Sequence, residues 1–379
     1  MTRNAPWFVN DFMPRWLDRV MTPSGAVVEA LDIKGQADAA SPSTLTQART
    51  IFALAQLYLA TGDEQFRSGA CTIYVFMDNA LRDPSGGYWA NCDNTLRRTY
   101  DQSFALLALT TLRKISPQTV PESRINDLWD FVQGTLTDPE TGALWEDSAM
   151  AAHGARAGDL RAQNPHMHML EAVLQAFEMT ADPVWMDRAT HLVQLAARYF
   201  VDPQTGAIME FVGPDLAPLA TTEGGRREPG HQYEWAWLLH RYVAFGGDDM
   251  ARAMADRMIH FVEATGLRGD GVLKGAPFDA LDAAGRVTGA SHLLWPLTEA
   301  GKFDAATGAA DRARDIEAII FTRYFAAGSD PVWCNQLDSE CSILWPTALG
   351  RLIYHIVLFV TEGQNAGLWQ LGSGPINRI

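Results

Sequence analysis

Cysteine is scarce in this sequence: the 379 residues include 4, and none of them forms a Cys-x-x-Cys pair. Such scarcity argues against a disulfide framework and favours a reducing compartment, so we expect a cytoplasmic protein. The N-terminus also lacks the apolar core of a signal peptide. The longest apolar stretch, Leu352 to Val360, is interrupted by His355 and is far too short to cross a bilayer, so we expect no membrane partner.

Basic side chains are outnumbered by acidic ones, which gives a formal net charge of -15 at pH 7 and a pI of about 5.0. Lysine and arginine form no cluster beyond the pairs Arg97-Arg98 and Arg226-Arg227, whereas a nucleic-acid surface needs a basic patch. We therefore expect no nucleic-acid partner and a small-molecule ligand that is neutral or weakly charged. The composition does not separate a monomer from a homodimer, and we expect one of the two.

Strand-like alternation is rare as well, and helical periodicity dominates the sequence. The clearest helical segments are Ala48 to Leu59, Phe104 to Leu112, Met167 to Met179, Ala189 to Tyr199, Tyr233 to Val243 and Ala251 to Val262. A turn that begins with Asp-Pro and ends in glycine recurs between helices, at Asp83 to Gly86, Asp138 to Gly142 and Asp202 to Gly206. Proline blocks continuation of a helix, and glycine supplies the positive φ that such turns often need.

These turns alternate with a second signal, an aspartate that can cap the next helix, at Asp63, Asp182 and Asp248. The repeating unit is therefore a helical hairpin of about 60 residues, which fits six times into the chain. Repeats of this length favour a closed ring over an open solenoid, so we predict an all-α protein with an (α/α)6 barrel of six helical hairpins. No linker or shift in composition divides the chain, and we predict a single catalytic domain over residues 1–379.

Three histidines stand out in this pattern. His168 and His231 share a setting, because a proline lies shortly before each and a glutamate follows three residues later in an apolar run. His355 follows at close to twice their separation. Taking one out-of-place polar group per hairpin gives Arg49, Tyr100, His168, His231, Glu299 and His355. Because matching helix ends converge in a closed ring, we expect these groups to line one cavity.

Each group also has a structural explanation. Arg49 could pair with a buried acid, Tyr100 could cap and pack its helix, and Glu299 could be a charge at the N-terminus of a helix. A lone histidine near an apolar helix is more often a core residue whose hydrogen bonds are satisfied. The repeated His-x-x-Glu setting favours a functional interpretation for His168 and His231.

The repeated His-x-x-Glu setting also suggests a metal site, because residues three apart share a helix face. Di-metal helical bundles use the reverse order, Glu-x-x-His, together with two further glutamates, and the sequence has no clear second pair. We therefore predict neither a metal nor another cofactor. The 12 tryptophans and 9 tyrosines either fill the core or offer stacking faces for sugar rings, and Trp295 near Glu299 is a candidate for such a face.

Six stretches carry a resemblance to a known family. They are Gln47-Ala48-Arg49, Tyr100 to Ala105, Asn164 to Ala172, Glu228 to Trp237, Trp295 to Ala300, and Tyr354-His355. In these stretches the chain resembles the N-acylglucosamine 2-epimerase family, which includes cellobiose 2-epimerases and mannose isomerases. The resemblance implies an (α/α)6 barrel and metal-free isomerisation or epimerisation of a sugar. It also implies that His231 and His355 are the acid/base pair and that Arg49 and His168 contact the substrate.

The chain departs from the family pattern just before the last histidine. Many relatives carry a Ser/Thr-Pro-Tyr-His type of segment there, whereas this chain has Arg351-Leu352-Ile353-Tyr354-His355. The arginine raises the prospect of a substrate with an anionic substituent.

Isomerisation needs a base that removes a proton from the carbon beside a carbonyl, and histidine can accept and return such a proton near neutral pH. We expect His355 to take the C2 proton, Arg49 to stabilise the enediolate, and His231 to move a proton between the C1 and C2 oxygens. Glu234 or Glu171 is expected to orient the imidazoles. The predicted substrate contacts are Arg49, Tyr100, His168, Glu234, Trp295 and Glu299.

We predict a metal-independent aldose–ketose isomerase of the mannose–fructose type. The nearest alternative is a sugar 2-epimerase of the N-acetylglucosamine/N-acetylmannosamine or cellobiose type, because two histidines permit return of the proton to either C1 or C2. An inverting glycosidase or lyase on the same barrel would need two carboxylates about 6.5–9.5 Å apart, with Asp101 and either Glu234 or Glu299 as candidates. A non-catalytic helical scaffold should expose a large apolar or charged face, and the sequence has no sign of one.

Overall fold

Helices make up most of the chain in the computed structural model, which describes residues 3–325 and 330–372. In chain order the helices are α1 (Ala5–Trp7), α2 (Met13–Val20), α3 (Thr44–Thr61), α4 (Glu64–Ala80), α5 (Thr99–Ile115), α6 (Glu122–Thr135), α7 (Ser148–His153), α8 (Asn164–Thr180), α9 (Val184–Tyr199), α10 (Thr222–Gly225), α11 (Pro229–Ala244), α12 (Met250–Thr265), α13 (Leu294–Ala306), α14 (Ala310–Ile319) and α15 (Ile353–Asn365). π-Helical turns follow α1 and α14, at Phe8–Phe12 and Ile320–Tyr324, and a 3-10 turn at Gly350–Leu352 precedes α15.

The strands are short and connect the loops between helices. They are β1 (Ala30–Leu31), β2 (Arg161–Ala162), β3 (Phe211–Val212), β4 (Ala280–Leu281), β5 (Val287–Gly289), β6 (His292–Leu293), β7 (Gln336–Leu337), β8 (Ile343–Trp345) and β9 (Ala348–Leu349). Antiparallel pairing joins β1 to β9, with Ala30 opposite Leu349, and β2 to β3, with Arg161 opposite Val212. β7 lies between β6 and β8, and β6 leads directly into α13.

The helical segments predicted from the sequence are confirmed, because each lies inside one longer helix. The predicted capping aspartates Asp63, Asp182 and Asp248 each accept a hydrogen bond from the backbone N–H two residues later, at 2.9 to 3.0 Å. None of the helices in the described ranges combines the length and the apolarity that a membrane span requires.

Contacts between residues divide the chain into two compact units. Unit one comprises Met1–Asn79, Leu267–Asp279 and Gly289–Ile379, and unit two comprises Ala80–Gly266 and Ala280–Thr288. A single catalytic domain over residues 1–379 stays a prediction. Residues 1–2, 326–329 and 373–379 of that domain lie outside the described residues.

Unit two alternates two kinds of helix. α5, α8 and α11 are buried along most of their length, whereas α6, α9 and α12 bury one face and expose the other. α5 packs against α6 and α8, α8 also packs against α9 and α11, and α11 packs against α12. A helix that is apolar on all sides must be covered on all sides, and an amphipathic neighbour covers one of them. The predicted hairpin unit is this pair.

Unit one follows the same rule, with α3, α13 and α15 buried and α4 and α14 half-exposed. α13 packs against α14 and α15, and α15 packs against α3. The N-terminal helices lie between α4 and the end of α14: Leu17 approaches Gly69, and the rings of Phe12 and Phe325 are 4.9 Å apart between centroids. The N-terminal helices therefore pack beside α4 and the end of α14, at the other end of the chain.

The predicted Asp-Pro turns form the tips of short hairpins, each closed by an isolated β-bridge. Their last residues, Gly86, Gly142 and Gly206, have φ values of 113°, 75° and 79°. The aspartate of each turn accepts a hydrogen bond from the backbone N–H two residues later, at 2.8 to 3.0 Å. The expected use of glycine at positive φ is thereby confirmed.

Near the start of several buried helices, one side chain holds the preceding hairpin. Gln47, Gln102 and Gln232 each donate to and accept from the backbone of a single hairpin residue, at 2.7 to 3.0 Å. In α8 the equivalent residue is His166, whose Nε2 accepts the N–H of Leu144 at 2.9 Å. We call these four side chains the anchor residues. They mark equivalent positions in successive helices, even where the helices begin at different distances from the hairpin.

Candidate active site

His231 is held between two carboxylates at the start of α11. Its Nδ1 lies 2.8 Å from Glu210 Oε2 and 3.4 Å from Glu228 Oε2, and all three residues belong to unit two. The imidazole is almost entirely buried. At this distance it donates its Nδ1–H to the carboxylate, which makes Nε2 the nitrogen that can exchange a proton with a substrate.

The pairing of β2 with β3 places Glu210, which directly precedes β3. Gln163, directly after β2, donates from Nε2 to Glu210 Oε2 at 3.0 Å, and the backbone N–H of Glu228 donates to Oε1 at 3.1 Å. Trp235 Nε1 in turn donates to Gln163 Oε1 at 2.6 Å. The carboxylate of Glu210 is thus held by neutral donors and fixes the orientation of the histidine that it faces.

These carboxylates keep His231 protonated. Burial alone would lower the pKa of His231, but the charges of Glu210 and Glu228 and the hydrogen bond to Glu210 outweigh burial and raise the pKa to about 10. Burial alone would raise the pKa of Glu210, but the charge of His231 and its hydrogen bond hold it below the ordinary value. Burial and then the charge of Glu210 raise the pKa of Glu228. His231 therefore carries a positive charge near neutral pH and can donate a proton.

A second cluster in unit two surrounds His168 on α8. Its Nδ1 lies 3.0 Å from Glu171 Oε2 and 3.9 Å from Glu234 Oε1. The ring of Tyr100 meets the imidazole edge-on at 5.1 Å, and the ring of Phe104 lies 4.5 Å away. His168, Glu171 and Glu234 are buried, and Tyr100 is half-buried. Four residues predicted for the site, scattered in sequence, are therefore brought together here.

The two His-x-x-Glu stretches are not structurally equivalent. Counted from the anchor residues, His168 lies two residues after His166, whereas His231 lies one residue before Gln232. This offset of three residues corresponds to about 4.5 Å along a helix axis. The shared setting of the two histidines therefore does not put them at the same place in the repeat, because the proline and glutamate mark the helix entry and not the anchor.

His166 is a structural residue, as the alternative for lone histidines expects. Its Nε2 accepts a backbone N–H, which requires an unprotonated nitrogen. Burial, with the nearby charge of Arg161, lowers the pKa of His166 to about 3. A neutral ring in this place anchors the hairpin as glutamine does in the other helices.

In unit one, His355 forms a pair of the same kind with Glu299. Its Nδ1 lies 2.8 Å from Glu299 Oε1, and the second oxygen of Glu299 faces the Nζ of Lys302, one turn further along α13. Glu299 and Lys302 are fully buried, and His355 is 4% exposed. Trp295, half-buried at the start of α13, has its ring centroid 5.8 Å from the imidazole.

Arg49 adds a buried positive charge beside Tyr354, the residue that precedes His355. Its Cζ lies 5.0 Å from the centroid of the Tyr354 ring, and its Nη1 donates to the backbone oxygen of Arg351 at 3.3 Å. The Tyr354 ring meets the imidazole of His355 at 4.6 Å. The side chain of Arg49 is therefore fixed by α15, and Arg351 lies half-buried on the 3-10 turn before that helix.

Glu299, which the sequence predicts as a substrate contact, lies beside His355 and Lys302, and contact with a substrate stays a prediction. Its two oxygens face His355 Nδ1 and Lys302 Nζ, so the packing of α13 on α15 makes it the partner of the histidine. The sequence identified Glu299 as an out-of-place polar residue but could not show which side chain its oxygens would meet.

The carboxylate that orients His231 also differs from the predicted one. Glu171 contacts His168, and the carboxylate nearest to His231 Nδ1 is that of Glu210. The difference follows from the offset between the two histidines: only His168 has the glutamate three residues later within hydrogen-bond distance.

Sequence reasoning missed Glu210, Glu228 and Lys302. Glu210 reaches His231 through pairing of two-residue strands, which are too short to show an alternating pattern. The sequence does contain signals for Glu228 and Lys302. Glu228 directly precedes Pro229 at a helix entry, and Lys302 follows Glu299 at a spacing that puts both on one helix face.

Two sets of side chains in unit two could supply ligands for a metal ion, since the ligand atoms of each set lie within 4.8 Å of one another. The sets are His168, Glu171 and Glu234, and His231, Glu210 and Glu228. One nitrogen and two oxygens suit several divalent ions. In the second set, however, the Nδ1–H of His231 is donated to Glu210, and a metal would have to displace that proton. A cation there would replace the hydrogen bond that orients the histidine.

The chain is similar to known proteins over most of its length. The family model for N-acylglucosamine 2-epimerase (GlcNAc 2-epimerase) matches residues 26–358. A protein named mannose-6-phosphate isomerase from Rhizobium meliloti (strain 1021) is 28% identical over 379 residues, which cover 94% of this chain and 95% of the relative. A D-mannose isomerase from Marinomonas mediterranea is 26% identical over 211 residues, 52% of each chain.

Solved structures share the fold. A crystal structure of D-mannose isomerase matches with a TM-score of 0.82 at 19% identity, covering 95% of this chain and 97% of that one. A cellobiose 2-epimerase from Bacillus thermoamylovorans B4167 matches with a TM-score of 0.80 at 16% identity, covering 94% and 99%. This likeness to helical-barrel structures confirms the predicted fold class. The match over residues 26–358 identifies the chain as a sugar isomerase or epimerase that belongs to the N-acylglucosamine 2-epimerase family.

Proposed function

We propose that this chain is a metal-independent aldose–ketose isomerase that interconverts a mannose-type and a fructose-type sugar through an enediol. One shared arrangement carries the proposal: His231 and His355 are each buried on an apolar helix with Nδ1 2.8 Å from a glutamate oxygen. Each Nδ1–H is directed into a carboxylate, so each Nε2 is the nitrogen available for proton transfer.

His355 is the proposed base. Glu299 faces Lys302 as well as His355, so the charge of the carboxylate is balanced and the imidazole can be neutral. Its Nε2 takes the proton from C2 of the open-chain aldose, and the electron pair moves through C2–C1 to O1, which gives the enediolate. Arg49, buried beside Tyr354, supplies a fixed positive charge where this negative charge develops.

His231 is the proposed acid, because its pKa of about 10 keeps it protonated near neutral pH. It gives its proton to O1 and then takes the proton of the C2 hydroxyl, which moves the carbonyl to C2. His355 returns its proton to C1, so the ketose is formed and both histidines regain their starting state. Tyr100, His168, Glu234 and Trp295 stay as proposed substrate contacts.

The names of the relatives support a mannose-type substrate in two forms. The relative that matches nearly the whole chain is named for mannose 6-phosphate, and the one from Marinomonas mediterranea is named for mannose. Arg351, half-buried four residues before His355, lies one helical turn away and is suited to an anionic substituent. Both forms of the sugar therefore belong in the test.

The first prediction concerns the fate of the C2 proton. The protein is incubated with mannose, and separately with mannose 6-phosphate, in heavy water containing EDTA, and the products are followed by NMR. We expect a ketose carrying deuterium at C1, because His355 exchanges its proton with solvent before returning it. His355→Gln should lose at least about 10²-fold in rate, and the exposed His260→Gln serves as the matched control.

Two outcomes of this test would count against the proposal. Deuterium found only at C2 of an epimer would favour a sugar 2-epimerase, which the matching cellobiose 2-epimerase structure supports as the second candidate. Loss of the reaction on addition of EDTA, with recovery on addition of a divalent ion, would contradict the metal-independent mechanism. A glycosidase or lyase would instead keep its activity in His355→Gln and lose it in Asp101→Asn or Glu234→Gln.

A further inference from the structure

Lys302 is a buried cation to which the proposed mechanism gives no task. It lies on α13 one turn after Glu299, has no exposed surface, and directs its Nζ at the second oxygen of that carboxylate. Lysine is almost never fully buried unless it is paired, because removing its charge from water costs several kcal/mol. Its position is therefore tied to the charge of Glu299, and through Glu299 to His355.

The surroundings of the two histidines differ at this point. Both have Nδ1 2.8 Å from a carboxylate oxygen. At His231 that carboxylate, Glu210, is met by the amide of Gln163 and a backbone N–H, so the imidazole itself balances the negative charge. At His355 the carboxylate already faces an ammonium group, so a second positive charge is not needed.

A neutral pair of Glu299 and Lys302 has two consequences for His355. The carboxylate stays an acceptor, so it holds the proton of the neutral imidazole on Nδ1 and leaves Nε2 unprotonated. It also draws the imidazole less strongly towards the cationic form than an unbalanced carboxylate would. Arg49, on α3, adds a positive charge on the Tyr354 side of the ring and acts in the same direction.

We propose that Lys302 is a positioning residue that keeps His355 a neutral imidazole with its proton on Nδ1, ready to accept the C2 proton at Nε2. The proposal rests on the proposed function, in which His355 is the base. It assigns the opposite charges of the two histidines to one side chain, the ion-pair partner of Glu299.

The test measures the protonation state of His355 directly and does not depend on enzymatic activity. The chain is labelled with nitrogen-15 in its 9 histidines, and the His355 signals are assigned by their loss in His355→Gln. In the wild-type protein at pH 7.5 we expect the pattern of a neutral ring with the proton on Nδ1. In Lys302→Met we expect the imidazolium pattern. A wild-type His355 that is already an imidazolium at this pH would overturn the proposal, even if no variant can be made.

Kinetics on the same proteins separate positioning from a merely structural role. Lys302→Met should lower kcat about 10²-fold while KM changes by less than about three-fold, because the base is lost and substrate contacts are not. Lys302→Arg, which restores a cation, should recover much of the rate. The exposed Lys274→Met is the matched control. A folded Lys302→Met with wild-type kcat and an unchanged nitrogen-15 pattern would contradict the proposal.

Because Lys302→Met strands a buried carboxylate, a second variant guards against loss of folding. Glu299→Gln/Lys302→Met removes both charges and leaves an amide to accept the Nδ1–H. It should fold and keep His355 neutral, and an imidazolium in this variant would also overturn the proposal. If the sugars are not isomerised at all, the nitrogen-15 result still stands, so failure of the proposed function can be told apart from failure of this inference.

Discussion

At the scale of single residues, the partners of a histidine decide its charge more than its burial does. His231 and His355 are both buried and both hydrogen-bonded to glutamate. Burial opposes the charged form of either ring, yet two carboxylates around His231 reverse that effect. The same residue type can therefore serve as an acid in one place and as a base in another, provided that the surrounding charges differ.

The raised pKa of His231 leads to a prediction about pH. Folding raises this pKa from 6.5 to about 10, so the interactions of His231 stabilise the folded state fully below about pH 6.5 and lose that contribution as pH rises through about 10. Glu210→Gln removes the carboxylate charge that raises the pKa of His231 most. We expect the alkaline limb of the rate profile to move to lower pH and kcat at pH 8 to fall about 10²-fold.

The control for this variant is Glu140→Gln, which alters an exposed glutamate in an Asp-Pro turn of the same unit. Its pH–rate profile should match that of the wild-type protein. An alkaline limb that stays in place in Glu210→Gln would mean that Glu210 does not set the charge of His231.

Individual residues also show where prediction from sequence ends. His231, His355 and Arg49 could be chosen because a polar group in an apolar helix is visible in the sequence alone. Glu210 could not be chosen for its contact with His231, because that contact depends on how two loops pair. Lys302 was visible at its spacing from Glu299, but only the packing of α13 shows that the pair is fully buried.

At the scale of elements, the anchor residues explain why hairpins and helices keep one register. A hairpin residue has a backbone N–H and C=O that need partners once they are buried, and a single amide satisfies both. Gln232 does this for Ile208, donating at 3.0 Å and accepting at 2.7 Å. The Asp-Pro turns could be identified from the sequence, but the anchor residue that holds each hairpin could not, because Gln232 lies 24 residues after Ile208.

We predict that Gln232→Ala destabilises the protein by about 2 kcal/mol, because it leaves a buried N–H and a buried C=O of Ile208 without their partner. Unfolding by urea, followed by circular dichroism, measures the change. The exposed Gln133→Ala should change the free energy of unfolding by less than about 0.5 kcal/mol. Equal midpoints for the two variants would show that the anchor is not needed for stability.

At the scale of the whole molecule, the repeating hairpin could be predicted from the sequence, but the place of the N-terminal helices could not. Helical periodicity and recurring turns gave the hairpin unit, and the solved structures confirm the fold class. The sequence does not show that the N-terminal helices pack beside α4 and the end of α14, because no turn signal links the first residues of a chain to distant elements. That arrangement depends on aromatic packing: the ring of Phe12 lies within 6.2 Å of Trp7, Phe8, Phe325 and Trp333.

Phe12 should therefore be one of the residues that stabilise the folded state of unit one. It is 2% exposed, and Phe12→Ala leaves a cavity among the surrounding aromatic rings, so we expect a loss of about 3–5 kcal/mol in the free energy of unfolding. Because none of the rings that surround Phe12 belongs to a candidate active-site residue, KM of the folded fraction should stay at its wild-type value. Thermal unfolding and kinetics at low temperature measure the two effects separately. Met250→Ala, at a 79% exposed apolar residue, should leave the unfolding temperature nearly unchanged, and a similar result for Phe12→Ala would show that the two chain ends are not held together by this cluster.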